Sequence, residues 1–236
     1  MGGTCPGESA ICSQLCYAAR GFFVMPTVAR SHARNRDFSR TEEFVPWMTA
    51  QLQAHFVRVL RIHVAGDFYD APYVAKWLTI AEQSRRTIFY AYTRSWRDEE
   101  ILPGLIALSR LPNVNLWFSQ DRQTGEAPLI SGVRRCYLAV DDADARTAPP
   151  SCDLVFRDRP PSVMKYANSV LVCPVENGVH TGRFHHTCSS CGICWDKQRL
   201  PRWEQQLLPL LQETEHKPVD APDREVLHVG SVSQGQ

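Results

Sequence analysis

The fold of this protein is decided by the stretch VLRIHVAGDF, residues 59–68. Apolar and β-branched residues dominate its first six positions, and the run then ends in Ala65, Gly66 and Asp67. A short apolar run that is bounded by a turn signal is typical of a buried strand. The stretch therefore predicts a β-strand followed by a tight turn that carries polar side chains.

Further strand-like runs of the same kind alternate along the chain with segments whose apolar residues recur at helical spacing. They cover residues 87–92, 114–118, 136–140, 153–156 and 169–172. Apolar residues at helical spacing follow the first two strands, at Tyr73, Val74, Trp77, Leu78 and Ala81 and at Ile101, Leu105, Leu108 and Leu111, and a long helix is predicted to begin near Thr41. This order predicts an α/β fold with a mostly parallel sheet, either open or, as we favour, a partial (β/α) barrel.

Polar side chains follow most of these strands, where the carboxyl ends of parallel strands meet at one edge. We expect this edge to carry the chemistry. The candidate catalytic residues there are His63, Asp67, Arg94, Gln120 and Arg122. Thr93, Asp121 and Cys173 are expected nearby, and we interpret Asp141 and Asp142 as turn formers and caps.

Composition limits the class of protein. The chain has 236 residues, of which 44% are hydrophobic and 22% are charged, with a net charge of +1. These values are ordinary for a globular domain and give no global attraction to nucleic acid or membrane. The sequence has no apolar run of roughly 20 residues and no signal peptide, which predicts a cytoplasmic protein. We expect an α/β domain at 1–172, a cysteine-rich metal site and closing helix at 173–212, and a disordered tail at 213–236.

Nine cysteines are many for a chain in a reducing compartment, and most of them are clustered. Cys173 precedes a proline, and Cys188, Cys191 and Cys194 follow in one CxxCxxC turn. Four thiolates suit either Zn²⁺ or a [4Fe–4S] cluster, and the three-plus-one division favours the cluster. Zinc has support from three nearby histidines, His180, His185 and His186. We interpret Cys136 and Cys152 as small buried hydrophobes.

A second set of cysteines, Cys5, Cys12 and Cys16, has the spacing Cx6Cx3C near the N-terminus. Three ligands on a [4Fe–4S] cluster would leave one iron open, and a small molecule can chelate such an iron. The set therefore predicts a second metal site with an open position.

A basic run lies between these cysteines and the first predicted strand, with Arg30, Arg34, Arg36 and Arg40 around Phe38. Basic residues with interleaved aromatic residues suit contact with phosphates and bases. A solvated helix face is the other interpretation, and the sequence slightly favours it.

The motifs Cys5-Pro-Gly, Cys12 and Cys16-Tyr-Ala, together with residues 63–68 and the terminal cysteine turn, resemble the phage family called gene product 88. That resemblance implies a phage protein without implying an activity. The Cys-Tyr-Ala ending and the Gly66-Asp67 turn also resemble radical S-adenosylmethionine enzymes, whose usual cysteine spacing is Cx3Cx2C. This second resemblance implies a [4Fe–4S] cluster on Cys5, Cys12 and Cys16, an S-adenosylmethionine molecule held by Gly66 and Asp67, and an electron donor as partner.

Three functions are therefore expected. The first is an iron–sulfur enzyme, similar to radical S-adenosylmethionine enzymes, with an unknown small-molecule or nucleic-acid substrate. Its metal ligands would be Cys5, Cys12, Cys16, Cys173, Cys188, Cys191 and Cys194. The second is a zinc-stabilised protein that binds nucleic acid or modifies bases. In the third, both metal sites only stabilise the fold.

Overall fold

The computed structural model describes residues 3–158, 164–175, 187–196 and 226–228. Eight strands form one sheet in the order β6-β7-β5-β4-β3-β2-β1-β8. Every neighbouring pair is parallel except β6 and β7, which are antiparallel. The order is linear and has two edges, so the sheet is open. The predicted α/β class with a mostly parallel sheet is confirmed.

Six of the eight described strands overlap the predicted runs, and β6 and β8 were not predicted. The strand bounds are Val59–Arg61 for β1, Ile88–Thr93 for β2, Val114–Gln120 for β3, Arg134–Ala139 for β4, Leu154–Arg157 for β5, Tyr166–Ala167 for β6, Val170–Val172 for β7 and Val226–His228 for β8. Strand β8 lies within the segment 213–236, for which the sequence predicts disorder, and it pairs with β1.

Seven α-helices are described. Their bounds are Ala10–Leu15 for α1, Pro26–Ser39 for α2, Phe44–Ala54 for α3, Ala71–Gln83 for α4, Leu102–Ser109 for α5, Asp142–Ala145 for α6 and Cys188–Cys191 for α7. Local signals explain several starts: Ser9 and Asp70 cap α1 and α4, and a proline opens α2. The long helix predicted to begin near Thr41 begins at Phe44, because α2 continues to Ser39 and a turn separates the two helices.

One face of the sheet packs against α3, α4 and α5. Leu60, Phe89, Leu116 and Phe118 are almost fully buried there against the apolar side chains of these helices. Burial of each such side chain contributes roughly 1.5–3 kcal/mol relative to exposure. This face therefore supplies most of the driving force for folding and fixes the strand ends that position the site.

The opposite face is covered by the cysteine-rich segment 187–196. Tyr90 and Trp117 of this face are buried in clusters that also contain Trp195, Ile193 and Cys194. Because side chains alternate between the two faces of a strand, the same strands supply the helix-covered core and this second surface. We refer to the second surface as the aromatic face.

Candidate functional site

The N-terminal cysteine loop, residues 4–16, lies across the carboxyl ends of β1, β2 and β3. Cys12 lies within α1 and Cys16 follows its last residue. The backbone N–H of Asp67 donates to the carbonyl of Thr4 at 2.9 Å, and the N–H of Ile11 donates to Oε1 of Gln123 at 2.9 Å. The loop is therefore attached to the edge where the sequence predicts the chemistry, and we call this edge the carboxyl edge.

A buried ion pair anchors the loop. Arg94 Nη1 donates to Oδ2 of Asp121, and the two side chains are 6% and 0% exposed. The hydroxyl of Ser9, in the loop, donates to the same Asp121 oxygen at 2.5 Å. Burial alone would raise the pKa of Asp121, but the hydrogen bond from Ser9 and the charge of Arg94 together lower it. Arg94 and Asp121 therefore remain charged and link β2, β3 and the cysteine loop.

Asp67 lies beside this ion pair and is also buried. Its carboxylate accepts hydrogen bonds from the backbone N–H groups of Arg94 and Phe68, both at 2.7 Å. Burial raises the pKa of Asp67 to about 6, against lowering by hydrogen bonds from Thr93, Arg94, Phe68 and Ser95. The carboxylate is thus engaged by its own turn and by the end of β2. The role of Asp67 in holding a cofactor amine stays a prediction.

Gly7 allows the loop to approach β2 closely. A Cβ atom at Gly7 would lie 1.8 Å from the carbonyl oxygen of Arg94. Arg97, in the turn after β2, donates from Nη1 to the carbonyl of Gly7 at 3.1 Å. Only glycine permits this backbone contact.

Burial and neighbouring charges shift the pKa of two of the loop cysteines, Cys5 and Cys12. Burial raises the pKa of Cys5 to about 12, and the charges of Asp67 and Cys12 add to that effect. Burial also raises the pKa of Cys12; Arg94 lowers it and Cys16 raises it. Without a cation, Cys5 and Cys12 are therefore protonated at neutral pH. A metal ion would reverse this preference, because it stabilises the thiolate.

A cavity of about 330 Å³ opens beside the loop, between β1 and helices α2, α3 and α4. We call it the aromatic cavity; it is distinct from the aromatic face of the sheet. This volume falls within the range of roughly 300–1,000 Å³ that is usual for small-molecule sites. Thr4, Gly66 and Asp67 contribute to one wall. The remaining wall is largely aromatic, with Phe38, Phe44, Trp47, Tyr69, Tyr73 and Trp77.

His63 lines this cavity at the end of β1. Its Nε2 is 3.2 Å from the hydroxyl of Tyr73, and its ring packs edge-on against Phe68 at 4.6 Å between ring centroids. Burial and the nearby charge of Arg61 lower the pKa of His63 to about 3. The imidazole is therefore neutral at physiological pH and can offer both a donor and an acceptor.

Of the candidate catalytic residues, Arg94, Gln120 and Arg122 lie outside this cavity. Gln120 is buried, accepts a hydrogen bond from the N–H of Ala127 at 2.8 Å and donates to the sulfur of Cys152 at 3.4 Å. Its amide thus holds the loop after β3. Arg122 is exposed, while Arg94 forms the ion pair described above. Neither Gln120 nor Arg122 lines the cavity.

The C-terminal cysteines converge from two segments. Cys173 follows β7, and Cys188 and Cys191 bound α7 with Cys194 in the next turn. All four line one small cavity, otherwise apolar, whose other lining residues are Leu154, Pro174, Val175 and Ile193. The sequence predicts this convergence of Cys173 with the CxxCxxC turn.

Side chains of the aromatic face hold this segment by its carbonyl groups. Trp117 Nε1 donates to the carbonyl of Cys194 at 2.9 Å, and Asn115 donates to that of Trp195 at 2.5 Å. Arg134 Nη1 donates to Ile193 at 2.6 Å while its guanidinium lies over the ring of Trp117. Buried donors on three strand positions therefore fix the cysteine turn against the sheet.

Tyr92 makes the closest polar contact to a cysteine sulfur. Its hydroxyl lies 2.6 Å from Sγ of Cys194 and donates to it. Burial raises the pKa of Cys194 to about 11, against a lowering by Tyr92. Arg61 lies over the Tyr92 ring and donates to the hydroxyl of Tyr17 at 3.2 Å, so it connects the aromatic face with the N-terminal cysteine loop.

Within residues 3–158, 164–175, 187–196 and 226–228, no three His, Cys, Asp or Glu side chains are arranged to hold a metal ion. The thiols would have to move closer together to ligate one ion. His180, His185 and His186, the possible zinc ligands, lie outside the described residues.

Two minor predictions can be compared with the structure. Cys136 and Cys152 are buried, with burial raising the pKa of each thiol. Asp141 caps α6 through the N–H of Asp144 at 2.8 Å, and Asp142 pairs with Arg157 at 2.5 Å. Cys136, Cys152 and Asp141 thus have the structural roles that the sequence indicates, whereas Asp142 lies within α6 and forms an ion pair.

The contribution of helix α2 to the aromatic cavity was not predicted from the sequence. The helix brings Arg34 and Arg36 to this cavity, along with His32 and Asn35. The sequence feature that could have indicated this is the basic run, which we interpreted, by a slight preference, as a solvated helix face. Tyr73 and Trp77 were assigned to a helix but not to a site.

Comparison with known proteins places this arrangement in a family. The family model for gene product 88 matches residues 1–197. The chain belongs to the gene product 88 family. The match covers the N-terminal cysteine loop, strands β1 to β7 and the C-terminal cysteine turn, so the resemblance to gene product 88 is confirmed. These comparisons do not support the resemblance to radical S-adenosylmethionine enzymes.

Two relatives in this family are gene 88 proteins of mycobacteriophages. The chain is 28% identical over 165 residues to the gene 88 protein of Mycobacterium phage D29, covering 64% of this chain and 67% of that protein. It is 30% identical over 132 residues to the gene 88 protein of Mycobacterium phage L5, covering 51% of this chain and 54% of that protein. The chain thus matches about half the length of the L5 relative.

No solved structure matches this chain. Among the described residues, no helix has both the length and the apolar character needed to cross a bilayer.

Proposed function

We propose that this protein is an iron–sulfur metalloprotein with a cluster bound by Cys173, Cys188, Cys191 and Cys194. The observation that carries the proposal is that these four cysteines, from two segments of the chain, line one cavity. Four thiols are a donor set for thiophilic metals, and the three-plus-one division between segments is typical of clusters.

The surroundings of this cavity suit a cluster. Its other walls are apolar, and the Tyr92 hydroxyl donates to the sulfur of Cys194 at 2.6 Å. Hydrogen bonds to ligating sulfurs and a shell that excludes water are the means by which proteins adjust such centres. Trp117 and Asn115 fix the backbone of the turn, so groups that would not themselves bind the cluster hold its ligands in position.

We further propose that Cys5, Cys12 and Cys16 hold a second cluster and that the protein is an enzyme which uses it. Cys5 and Cys12 have shifted pKa values, and the loop that carries all three cysteines lies beside the aromatic cavity, to which Thr4 and Gly66 contribute. Three ligands leave one iron available to a small molecule. When bound, such a centre supplies electron transfer to that molecule. Use of S-adenosylmethionine rests on the resemblance of residues 16–18 and 66–67.

The experiment that tests the first proposal is metal analysis after anaerobic purification. We expect iron and acid-labile sulfide together with a brown chromophore. Cys173→Ala and Cys194→Ala should each reduce the iron content, whereas Cys152→Ala, at a buried cysteine away from this cavity, should leave it unchanged. A colourless protein with stoichiometric zinc would overturn the proposal.

A separate experiment tests the second cluster and the cofactor. Cys12→Ala should lower the iron content without affecting the C-terminal cluster. Dithionite-reduced wild-type protein should convert S-adenosylmethionine to methionine and 5-prime-deoxyadenosine, measured by chromatography. If both clusters are present and no cleavage occurs, the S-adenosylmethionine role is wrong while the metal assignment stands.

Zinc at the same four cysteines would favour the alternative, a zinc-stabilised protein that binds nucleic acid or modifies bases. The observation that supports it is the basic helix α2 beside the cavity, with Arg34 and Arg36. Its test is binding to DNA and RNA as a function of salt, with Arg34→Gln and Arg36→Gln. Binding that is equally weak at low and high salt would exclude it.

A further inference from the structure

The aromatic cavity beside β1 has a composition that restricts its ligand. Four of its rings, those of Phe38, Trp47, Tyr69 and Tyr73, are accompanied by the imidazole of His63. Tyr69 and Tyr73 are stacked at 4.3 Å between ring centroids. Flat aromatic surfaces favour a planar ligand, because they stack on its faces without ordering many side-chain torsions.

The charge of the cavity is positive on its exposed side. Arg34 is exposed and Arg36 is partly exposed, and both line the cavity from α2. Asp67 is the one carboxylate among the described lining residues, and its oxygens already accept backbone hydrogen bonds. An anionic group at this side is therefore attracted by Arg34, and at Arg36 it competes with the exposed carboxylate of Asp37, which lies 3.5 Å from Arg36 Nε. Guanidinium groups match the oxygens of a phosphate in both charge and shape.

Polar groups that can both donate and accept hydrogen bonds also line the cavity. Asn35 lines the cavity with an amide, and His63 presents a neutral imidazole. Such groups recognise the edge of a nitrogen heterocycle better than that of a hydrocarbon ring.

The geometry points to a mononucleotide as the ligand of this cavity: a base between the aromatic side chains and a phosphate at Arg34 and Arg36. The volume of about 330 Å³ suits a ligand of this size. The assignment does not depend on metal at the cysteines, since no cysteine lines this cavity. If the protein is the proposed enzyme, the substrate belongs to this class.

The test is calorimetric titration of the full chain with AMP, GMP, CMP and UMP and their deoxy counterparts. At least one should bind, and the matching nucleoside and inorganic phosphate should each bind about ten-fold more weakly, since each lacks half of the contacts. Arg34→Gln should weaken binding of the nucleotide about ten-fold and leave binding of the nucleoside unchanged.

Arg30→Gln is the matched control, because Arg30 is exposed on the same helix and does not line the cavity. It should leave affinity unchanged. Trp47→Ala should weaken both nucleotide and nucleoside about ten-fold, and Trp47→Phe should restore most of the affinity if the ring stacks on the base.

Several results would overturn the assignment. They are the absence of binding by any mononucleotide, phosphate binding as tightly as the nucleotide, equal losses in Arg34→Gln and Arg30→Gln, or binding of oligonucleotides alone. Each can occur with or without iron in the sample, so failure of this inference is distinguishable from failure of the metal proposal.

Discussion

The carboxyl edge and the aromatic face each hold one set of cysteines, but they do so with different chemistry. At the carboxyl edge, the N-terminal loop is anchored by Arg94 and Asp121, two buried charges that meet at the hydroxyl of Ser9. On the aromatic face, Trp117 and Asn115 donate to carbonyl groups of the C-terminal segment. One region relies on a buried pair of opposite charges, and the other relies on donors, among them the buried Arg134, that bond to backbone carbonyls.

This difference sets how each region responds to change. Removing one member of a buried ion pair leaves an uncompensated charge in a medium that solvates it poorly. Removing one neutral donor costs a single hydrogen bond and the desolvation of its acceptor. The carboxyl edge should therefore be the more sensitive region, both to mutation and to pH.

The largest effect is expected for Arg94→Met. It removes the guanidinium and leaves Asp121 buried and unpaired, so the free energy of unfolding should fall by about 4 kcal/mol. Urea denaturation monitored by circular dichroism measures this. Arg122→Met, at an exposed arginine in the next loop, is the control and should change stability by less than about 0.5 kcal/mol. Equal losses in the two variants would contradict the role of buried charge.

Gly7→Ala should have the next largest effect. The added Cβ would lie 1.8 Å from the Arg94 carbonyl oxygen, so the loop must shift away from β2. We expect a loss of about 3 kcal/mol, measured in the same way. Gly21→Ala is the comparison variant: it introduces strain at a φ of 59°, but the space around its Cβ position is open, and it should cost only about 1 kcal/mol. A loss no larger than that of Gly21→Ala would show that the close approach contributes little.

The carboxyl edge should also show a dependence on pH that comes from His63. Its folded-state pKa is lowered to about 3, so below pH of about 6.5 the unfolded chain binds a proton that the folded protein excludes. Stability from this group is complete above that pH and is lost as pH falls. The loss at pH 5 should be at most about 2 kcal/mol.

Asp67 acts in the opposite direction, because its pKa is raised to about 6 and its contribution is lost as pH rises through that value. Comparison of wild type with His63→Gln between pH 5 and pH 7 isolates the histidine. The difference in unfolding free energy should shrink as the pH falls. An imidazole that titrates near its ordinary pKa by nuclear magnetic resonance would disprove this burial effect.

The smallest effect is expected on the aromatic face. Tyr92→Phe removes one hydrogen bond to the sulfur of Cys194 and should lower the unfolding free energy of the metal-free protein by about 1 kcal/mol. Tyr166→Phe, at an exposed tyrosine on β6, is the control and should be nearly neutral. A loss as large as that of Arg94→Met would remove the contrast between the two regions.

Prediction from sequence succeeded where the determining interactions are local. The strands β1 to β5 and β7 follow from runs of apolar residues, and α4 follows from the spacing of Tyr73, Val74 and Trp77. Cys173 and the CxxCxxC turn line one cavity, as their predicted use in one metal site requires, and that use stays a prediction. Confirmation of a metal there needs the experiments described above.

Prediction failed where contacts join distant parts of the chain. Gln120 ends β3, yet its side chain bonds to the N–H of Ala127 and to Cys152 and does not line the aromatic cavity. Arg34 and Arg36 lie in a helix with no strand pattern, and only the packing of α2 near β1 brings them to a cavity. No spacing rule in the sequence reports such a meeting.

The sequence by itself determined the α/β class, the order of most strands and helices, and the presence of two cysteine sets, because these follow from periodicity and spacing along the chain. Only the tertiary structure decided which polar side chains form buried hydrogen bonds or ion pairs and which line a cavity. It placed Arg94 against Asp121, covered the aromatic face with the C-terminal cysteine turn, and formed the aromatic cavity next to His63. The physical reason is that burial and partnering depend on long-range packing, which also decides whether a buried group is charged.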